Sequence, residues 1–149
     1  MEKKKETLRI IAILAFLAYL LLLAYLLFFS STYGRTEEMG YRYNLKPFLE
    51  IMRGIKYIDK VGRDYVLVNI GGNIAAFMPF GFLLPLVSER KQTMLKALLK
   101  TFLLSFSAEV IQLITRTGAF DVDDLILNTI GGILGYGCYF LIVGRRGKK

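Results

Sequence analysis

The stretch that decides the fold reads IIAILAFLAYLLLLAYLLFF and runs from Ile10 to Phe29, 20 residues without a charge. A helix needs about 20 apolar residues to cross the hydrocarbon core of a bilayer. The stretch is longer than the apolar run of roughly 7 to 15 residues in a secretory signal. No small-x-small cleavage site follows it. We therefore predict an uncleaved membrane span at about residues 8–30.

Three further apolar stretches follow the first. They predict spans at about 66–87, 94–115 and 125–144. The second contains Pro79 and Pro85, which membrane helices tolerate. Hydrophobic residues make up 54% of the 149 residues, and the mean hydropathy of +0.46 lies above the usual soluble range. We expect an all-α polytopic membrane protein, a single domain over 1–149 that forms a small four-helix transmembrane bundle with an outer segment at 31–65.

The charges are distributed unevenly between the two sides of this bundle. The N-terminal segment, the 88–100 loop and the C-terminal tail hold 12 of the 20 bases and three of the 12 acids, and the opposite side holds the remaining eight bases. Bases accumulate on the cytoplasmic side of membrane proteins. We therefore expect a multi-pass membrane protein with both ends in the cytoplasm. The net charge of +8 indicates orientation and not a nucleic-acid partner.

The residue types present exclude several kinds of chemistry. The chain has no histidine, which excludes imidazole metal ligands and His-based catalysis. Its only cysteine, Cys138, lies in an apolar stretch and is interpreted as a small packing residue. The acids of D-V-D-D at 121–124 could bind Ca²⁺ or Mg²⁺. The motif lacks a recognised ligand spacing, so we expect no cofactor and no metal site.

The outer segment predicts one short amphipathic helix. Six apolar residues recur there at helical spacing, namely Phe48, Leu49, Ile51, Met52, Ile55 and Ile58. Pro47 suits the first turn of such a helix. We expect the helix to lie on the outer membrane surface or to cap the bundle, and a lid over a site is the alternative.

Polar residues recur on one face of each of the last three spans. They are Asn69, Gly72, Asn73 and Ala76 in the second span, Glu109, Gln112 and Arg116 in the third, and Asp121, Asp124, Asn128, Gly131, Gly132 and Gly135 in the fourth. The helical rise of 1.5 Å per residue predicts that these groups converge in the outer leaflet. An ionisable group is costly there, so we expect Glu109 to face the bundle interior and to be paired or protonated.

These residues admit a structural and a functional interpretation. Asparagine and glutamine commonly join membrane helices, and the pairs Gly71/Ala75, Gly72/Ala76 and Gly131/Gly135 permit close helix packing. The last pair suits a homodimer and intramolecular packing equally well. Asp121 and Asp124 could simply cap a helix. A buried carboxylate, however, is a costly way to join helices, and this favours a polar pocket that opens outward.

The motifs also resemble a known family. The sequence NLKPF at Asn44–Phe48, NIGGNIAAFMPFGFLLP at Asn69–Pro85 and SAEVIQLITRTGAFDVDDLILNTIGGILGY at Ser107–Tyr136 resemble the VanZ-like family. The resemblance implies a protein of the bacterial cell membrane and an association with resistance to the lipoglycopeptide teicoplanin. It places family motif positions at Asn69, Asn73, Pro79, Gly81, Glu109, Gln112, Arg116, Asp121, Asp123, Asp124, Asn128 and Gly131.

The leading functional hypothesis is a cell-envelope protein whose pocket binds an amphiphilic or lipid-linked ligand at the membrane. Its predicted ligand-binding residues are Asn69, Asn73, Glu109, Gln112, Arg116, Asp121, Asp123, Asp124 and Asn128. Within this set Arg116 suits a phosphate or carboxylate.

Two alternatives stay open. One is a membrane hydrolase or transferase that acts on a lipid-linked envelope substrate through Glu109 and the carboxylates of Asp121, Asp123 and Asp124, with Glu109 as general acid–base and Asp123 and Asp124 holding a cation. The other is a small ion or proton transporter, formed by a homodimer with Glu109 as the relay.

Overall fold

The computed structural model describes residues 2–29 and 41–143. The helices are α1 (Glu2–Phe29), α2 (Leu49–Lys56), α3 (Ile58–Val61), α4 (Arg63–Val66), α5 (Gly72–Val87), α6 (Met94–Thr115) and α7 (Val122–Ile142), with a π-helical turn at Leu67–Gly71 and strands β1 (Tyr43–Asn44) and β2 (Phe120–Asp121). Residues 1, 30–40 and 144–149 lie outside this description, and with them the charges counted for the C-terminal tail.

The four predicted spans are confirmed. Helices long and apolar enough to cross a membrane occupy Glu6–Phe29, Leu67–Val87, Met94–Thr115 and Val122–Ile142. The last begins three residues before the predicted 125, because the Asp121 side chain accepts a hydrogen bond from Asp123 N and caps the helix there. Ser30 and Gly144, the predicted ends of the first and last spans, lie outside the described residues. The orientation of the two ends across the membrane stays a prediction.

Helices α5 and α7 meet backbone to backbone. A Cβ added at Gly81 would overlap the Gly132 carbonyl oxygen, and one at Gly131 would lie 3.1 Å from Ile74 Cα. Small residues allow membrane helices this close an approach. The Gly131/Gly135 pair thus packs against α5 of the same chain, with Gly135 against Met78. Gly71, in contrast, has open space around its Cα.

Helix α6 closes the bundle on α7 with one buried face. That face consists of Ala97, Thr101, Ser105, Ala108 and Glu109. The Thr101 side chain occupies the space where a Cβ on Gly132 would lie. Because Thr101 and Ser105 are completely buried hydroxyl residues, this face is polar along much of its length.

Helix α1 lies at the edge of the bundle. Only 6% of its most apolar stretch is buried inside the bundle. Leu23 is its one buried large side chain among the described residues. Its aromatic residues Phe16 and Tyr19 pack against Phe80, Leu84 and Ala97. Exposed apolar side chains on the rest of α1 are what a helix facing lipid requires.

The predicted amphipathic helix forms, but it is shorter than its apolar spacing suggested. It begins at Leu49 and not at Pro47, because Phe48 adopts a left-handed conformation with φ 64°. It ends at Lys56, and the apolar position Ile58 falls in α3. Gly54 is buried, and a Cβ there would lie 3.5 Å from Val66 Cγ2. Helix α2 therefore packs where α4 leads into the second span.

A two-residue parallel bridge lies next to α2. It pairs Tyr43 with Phe120 and Asn44 with Asp121, and Phe120 N donates to Arg42 O at 3.0 Å. No pattern in the sequence predicted this bridge. The bridge ties the segment before α2 to the segment between α6 and α7.

Candidate acidic site at one end of the bundle

The predicted polar residues meet where α5 and α7 begin and α6 ends. We call this region the acidic end, defined by Asn73, Glu109, Asp121, Asp123 and Asp124. Glu109 is 3% exposed, as its cost in lipid predicted, and its Oε2 accepts a hydrogen bond from Asp121 N at 2.8 Å. One carboxylate of α6 thus contacts the backbone just before α7.

Asp121 connects three segments of the acidic end. Its Oδ1 accepts from Asn44 Nδ2 at 3.0 Å and from Asp123 N at 2.8 Å. Burial raises the pKa of the Asp121 carboxyl, and these two hydrogen bonds oppose that shift. Asp121 thereby caps α7, as the structural interpretation predicted, and also anchors the bridge through Asn44.

Asp123 anchors α2. The side chain is 1% exposed, and its two oxygens accept backbone N–H groups from Phe48, Glu50 at 2.8 Å and Ile51 at 3.1 Å. These are orphan donors at the start of a helix, where negative charge is favoured. The left-handed conformation of Phe48 turns its N–H toward this carboxylate. Asp123 thus supplies the cap that no side chain of α2 provides.

Asp124 pairs with α5. Its Oδ1 accepts from Asn73 Nδ2 at 2.6 Å, and Asn73 is buried. Asn69 was expected on the same face, but it lies in the π-helical turn, which changes the angle between the two side chains. Asn69 is half-buried, and within the described residues no hydrogen bond reaches its side chain.

Two predicted ligand-binding amides join helices instead of facing the other polar groups. Asn128 Nδ2 donates to Ser105 Oγ at 2.8 Å, below the acidic end. Its Oδ1 is buried without a partner in the described part of the chain. Gln112 Nε2 donates to Leu27 O at 2.9 Å and thereby ties α6 to α1. Both contacts fit the role of amides in joining membrane helices.

Arg116 lies exposed at the end of α6. It adopts a left-handed conformation with φ 57°, and its guanidinium lies 4.8 Å from the centroid of the Tyr41 ring. In residues 2–29 and 41–143 it forms no ion pair with a carboxylate. The neighbouring acids therefore keep their own partners, and the guanidinium faces outward over an aromatic ring.

The structure adds three residues to those predicted, Tyr41, Asn44 and Ser105. Asn44 lies in the NLKPF motif, which could have pointed to it. No sequence pattern pointed to Tyr41 or Ser105 as site residues, because their partners, Arg116 and Asn128, are distant in sequence. Over the described ranges no three acidic or cysteine side chains are arranged as ligands for a metal ion.

An apolar groove of about 310 Å³ lies away from the acidic end, along the α5–α7 contact. It is lined by Met78, Pro79, Phe82, Leu83, Gly135 and Cys138. Cys138 is half-buried there and unpaired.

Comparison with known proteins identifies the family. The family described as VanZ/LLP1 matches residues 16–143. Protein VanZ of Enterococcus faecium is 41% identical over 69 residues, which are 46% of this chain and 42% of that protein. The matched region thus spans less than half of that relative. No solved structure matches the chain. Because the family match extends over most of the sequence, the chain belongs to the VanZ/LLP1 family.

Proposed function

We propose that this protein lowers the susceptibility of its host to teicoplanin-type lipoglycopeptides by binding an amphiphilic or lipid-linked envelope ligand at the acidic end. The family supports the association with resistance. The observation that carries the ligand-binding part is the conformation and exposure of Arg116.

The backbone of Arg116 favours a different residue. Helices that end in a left-handed residue usually have glycine there, since a side chain costs about 1–2 kcal/mol in this conformation. Arginine occupies the position here, and its N–H closes the helix by bonding Gln112 O and Leu113 O. A costly residue at a cap suggests that its side chain has a use other than stability.

The guanidinium suits an anionic ligand. Arginine binds phosphate and carboxylate in a planar, two-pronged geometry, and stacking on an aromatic ring fixes its plane. Tyr41 provides that ring, and Asn69 is the predicted ligand-binding amide without a protein partner in the described segments. We assign Arg116 and Asn69 to direct ligand contact.

The acids of the acidic end would hold the site in shape. Glu109 and Asp121 connect α6 to α7, and Asp123 fixes α2. A site whose supporting groups are already bonded loses less entropy when a ligand binds. We therefore assign Glu109, Asp121 and Asp123 to positioning.

Teicoplanin susceptibility of a Gram-positive host tests the proposal. The host would express wild type, Arg116→Gly, Glu109→Gln or the control Arg63→Gln, an exposed base beside the same end, with membrane levels matched by immunoblot. We expect protection from wild type and Arg63→Gln. Arg116→Gly should lose protection while its stability stays within about 1 kcal/mol, because relief of the left-handed strain offsets the lost ring contact.

The variants separate the parts of the proposal. Glu109→Gln retains an acceptor for Asp121 N and removes the acid, so a loss of protection with this variant would show that the site needs the carboxyl group and not only this hydrogen bond. Full protection by Arg116→Gly would refute the role of Arg116. No protection by well-expressed wild type would refute the resistance function.

A further inference from the structure

A second feature lies beside α2, where two lysines share one aromatic ring. Lys56 Nζ lies 5.6 Å and Lys60 Nζ 5.7 Å from the centroid of the Tyr57 ring. All three residues are exposed. Two ammonium groups around one exposed ring make this surface locally positive unless acids pair with them.

Neighbouring acids do not neutralise this pair. Glu50 forms an ion pair with Arg53, with 2.7 Å between Glu50 Oε1 and Arg53 Nη1. Asp59 is exposed, and in the described ranges it makes no ion pair with Lys56 or Lys60. The two ammonium groups therefore leave an unmatched positive site around Tyr57.

The position of the pair relative to the membrane defines the available partner. Helix α4 extends the second span outward by the four residues that precede Leu67, a rise of about 6 Å. Headgroup layers are roughly 5 to 8 Å thick on each side of the hydrocarbon core. Gly62, where the helix is interrupted, and Lys60 just before it thus lie at headgroup depth.

Helix α2 lies at the same level, because both of its attachments are to span ends. Gly54 packs against Val66, next to the start of the second span, and the helix N-terminus bonds Asp123 in the first turn of α7. Met52 and Ile55 on this helix are 66% and 59% exposed. Apolar side chains at this depth, flanked by bases, are typical of an interfacial helix.

We infer that Lys56, Tyr57 and Lys60 form a binding site for the phosphate group of an anionic phospholipid. The two ammonium groups contact the phosphate, the tyrosine ring lies at the headgroup level, and Met52 and Ile55 contact the upper acyl chains. Each lysine near an anionic membrane surface raises the affinity for that surface about fivefold. This site is separate from the ligand contacts proposed at Arg116.

The absence of tryptophan from the sequence gives a direct test. Tyr57→Trp introduces the only tryptophan of the chain and keeps an aromatic ring beside the two lysines. The variant would be placed in phosphatidylcholine vesicles that contain an equal small fraction of brominated phosphatidylglycerol or brominated phosphatidylcholine. We expect stronger quenching by the brominated phosphatidylglycerol, because the site concentrates the anionic lipid around residue 57.

Variants in the Tyr57→Trp background locate the effect. Lys56→Gln/Lys60→Gln should abolish the preference, and Lys56→Arg/Lys60→Arg should retain it. The control Lys46→Gln/Arg53→Gln removes two exposed positive charges from the same segment and should preserve most of the preference. Circular dichroism would confirm that each variant is folded. Equal quenching by the two brominated lipids, or equal loss in the control, would overturn the inference.

Discussion

Helices α7 and α1 both pack against α5, but by different means. Between α5 and α7 the backbones touch at Gly81, Gly131 and Gly135, so no side chain can be added there. Helix α1 reaches α5 through side chains, including a hydrogen bond from Tyr19 to Ala76 O at 2.8 Å. A contact made of backbone cannot adjust, whereas a contact made of side chains can lose one member and persist.

The largest effect should come from filling the backbone contact. In Gly81→Ala the new Cβ would overlap the Gly132 carbonyl and lie 2.9 Å from Tyr136 N, so α5 and α7 must separate. We expect a loss of at least about 3 kcal/mol, the upper range for overpacking. Thermal unfolding in detergent measures it.

Gly71→Ala is the matched control, because nothing lies within 4 Å of a Cβ at that position. Its stability should stay equal or rise by about 0.5–1 kcal/mol, since alanine favours a helix. Equal melting temperatures for the two alanine variants would mean that α5 and α7 do not touch as described.

The next effect should come from the acidic end. Asp123→Asn leaves one oxygen acceptor for three backbone N–H groups at the start of α2 and removes the negative charge there. We expect a loss of about 1.5–3 kcal/mol, the range for hydrogen bonds to a charged group. Faster hydrogen exchange at the amides of 48–51 would report the detachment. Asp59→Asn, at an exposed acid, should leave exchange at these amides unchanged.

A smaller effect is expected at α1. Tyr19→Phe removes the hydroxyl that donates to Ala76 O and keeps the ring on Phe16 and Phe80. We expect a loss of about 0.6–1 kcal/mol, as for other polar contacts between membrane helices. Tyr25→Phe, on the same helix but 58% exposed, should leave the melting temperature unchanged. A loss as large as that of Gly81→Ala would contradict the peripheral position of α1.

The smallest effect should come from the ion pair between Arg9 and Glu89, 2.7 Å long and exposed on both sides. The Arg9 guanidinium lowers the pKa of the Glu89 carboxyl. The pair therefore contributes above the ordinary carboxyl pKa, and its contribution disappears as the pH falls through the lowered value. Exposed pairs contribute little. Glu89→Gln should shift the neutral-pH melting temperature less than Tyr19→Phe, and a larger shift would show that α1 depends on this pair.

The burial of Glu109 could be predicted from the sequence, but its partner could not. The cost of a carboxylate in lipid places it inside the bundle whatever its partners are. Its partner, Asp121 N, could not be named, because every residue except proline offers the same backbone donor. The same limit hid the anchoring of α2 by Asp123, whose donors lie 72 to 75 residues away.

The sequence by itself determined the four spans and the burial of Glu109, because hydrophobic length and the free-energy cost of a charge in lipid are properties of a segment alone. It also excluded histidine chemistry, because the chain has no histidine. Only the tertiary structure decided that Gly131 and Gly135 pack against α5, that a π-helical turn separates Asn69 from Asn73, and that Arg116 stacks on Tyr41. Those outcomes depend on how closely helices approach and where backbone groups meet, and residue types do not encode either one locally.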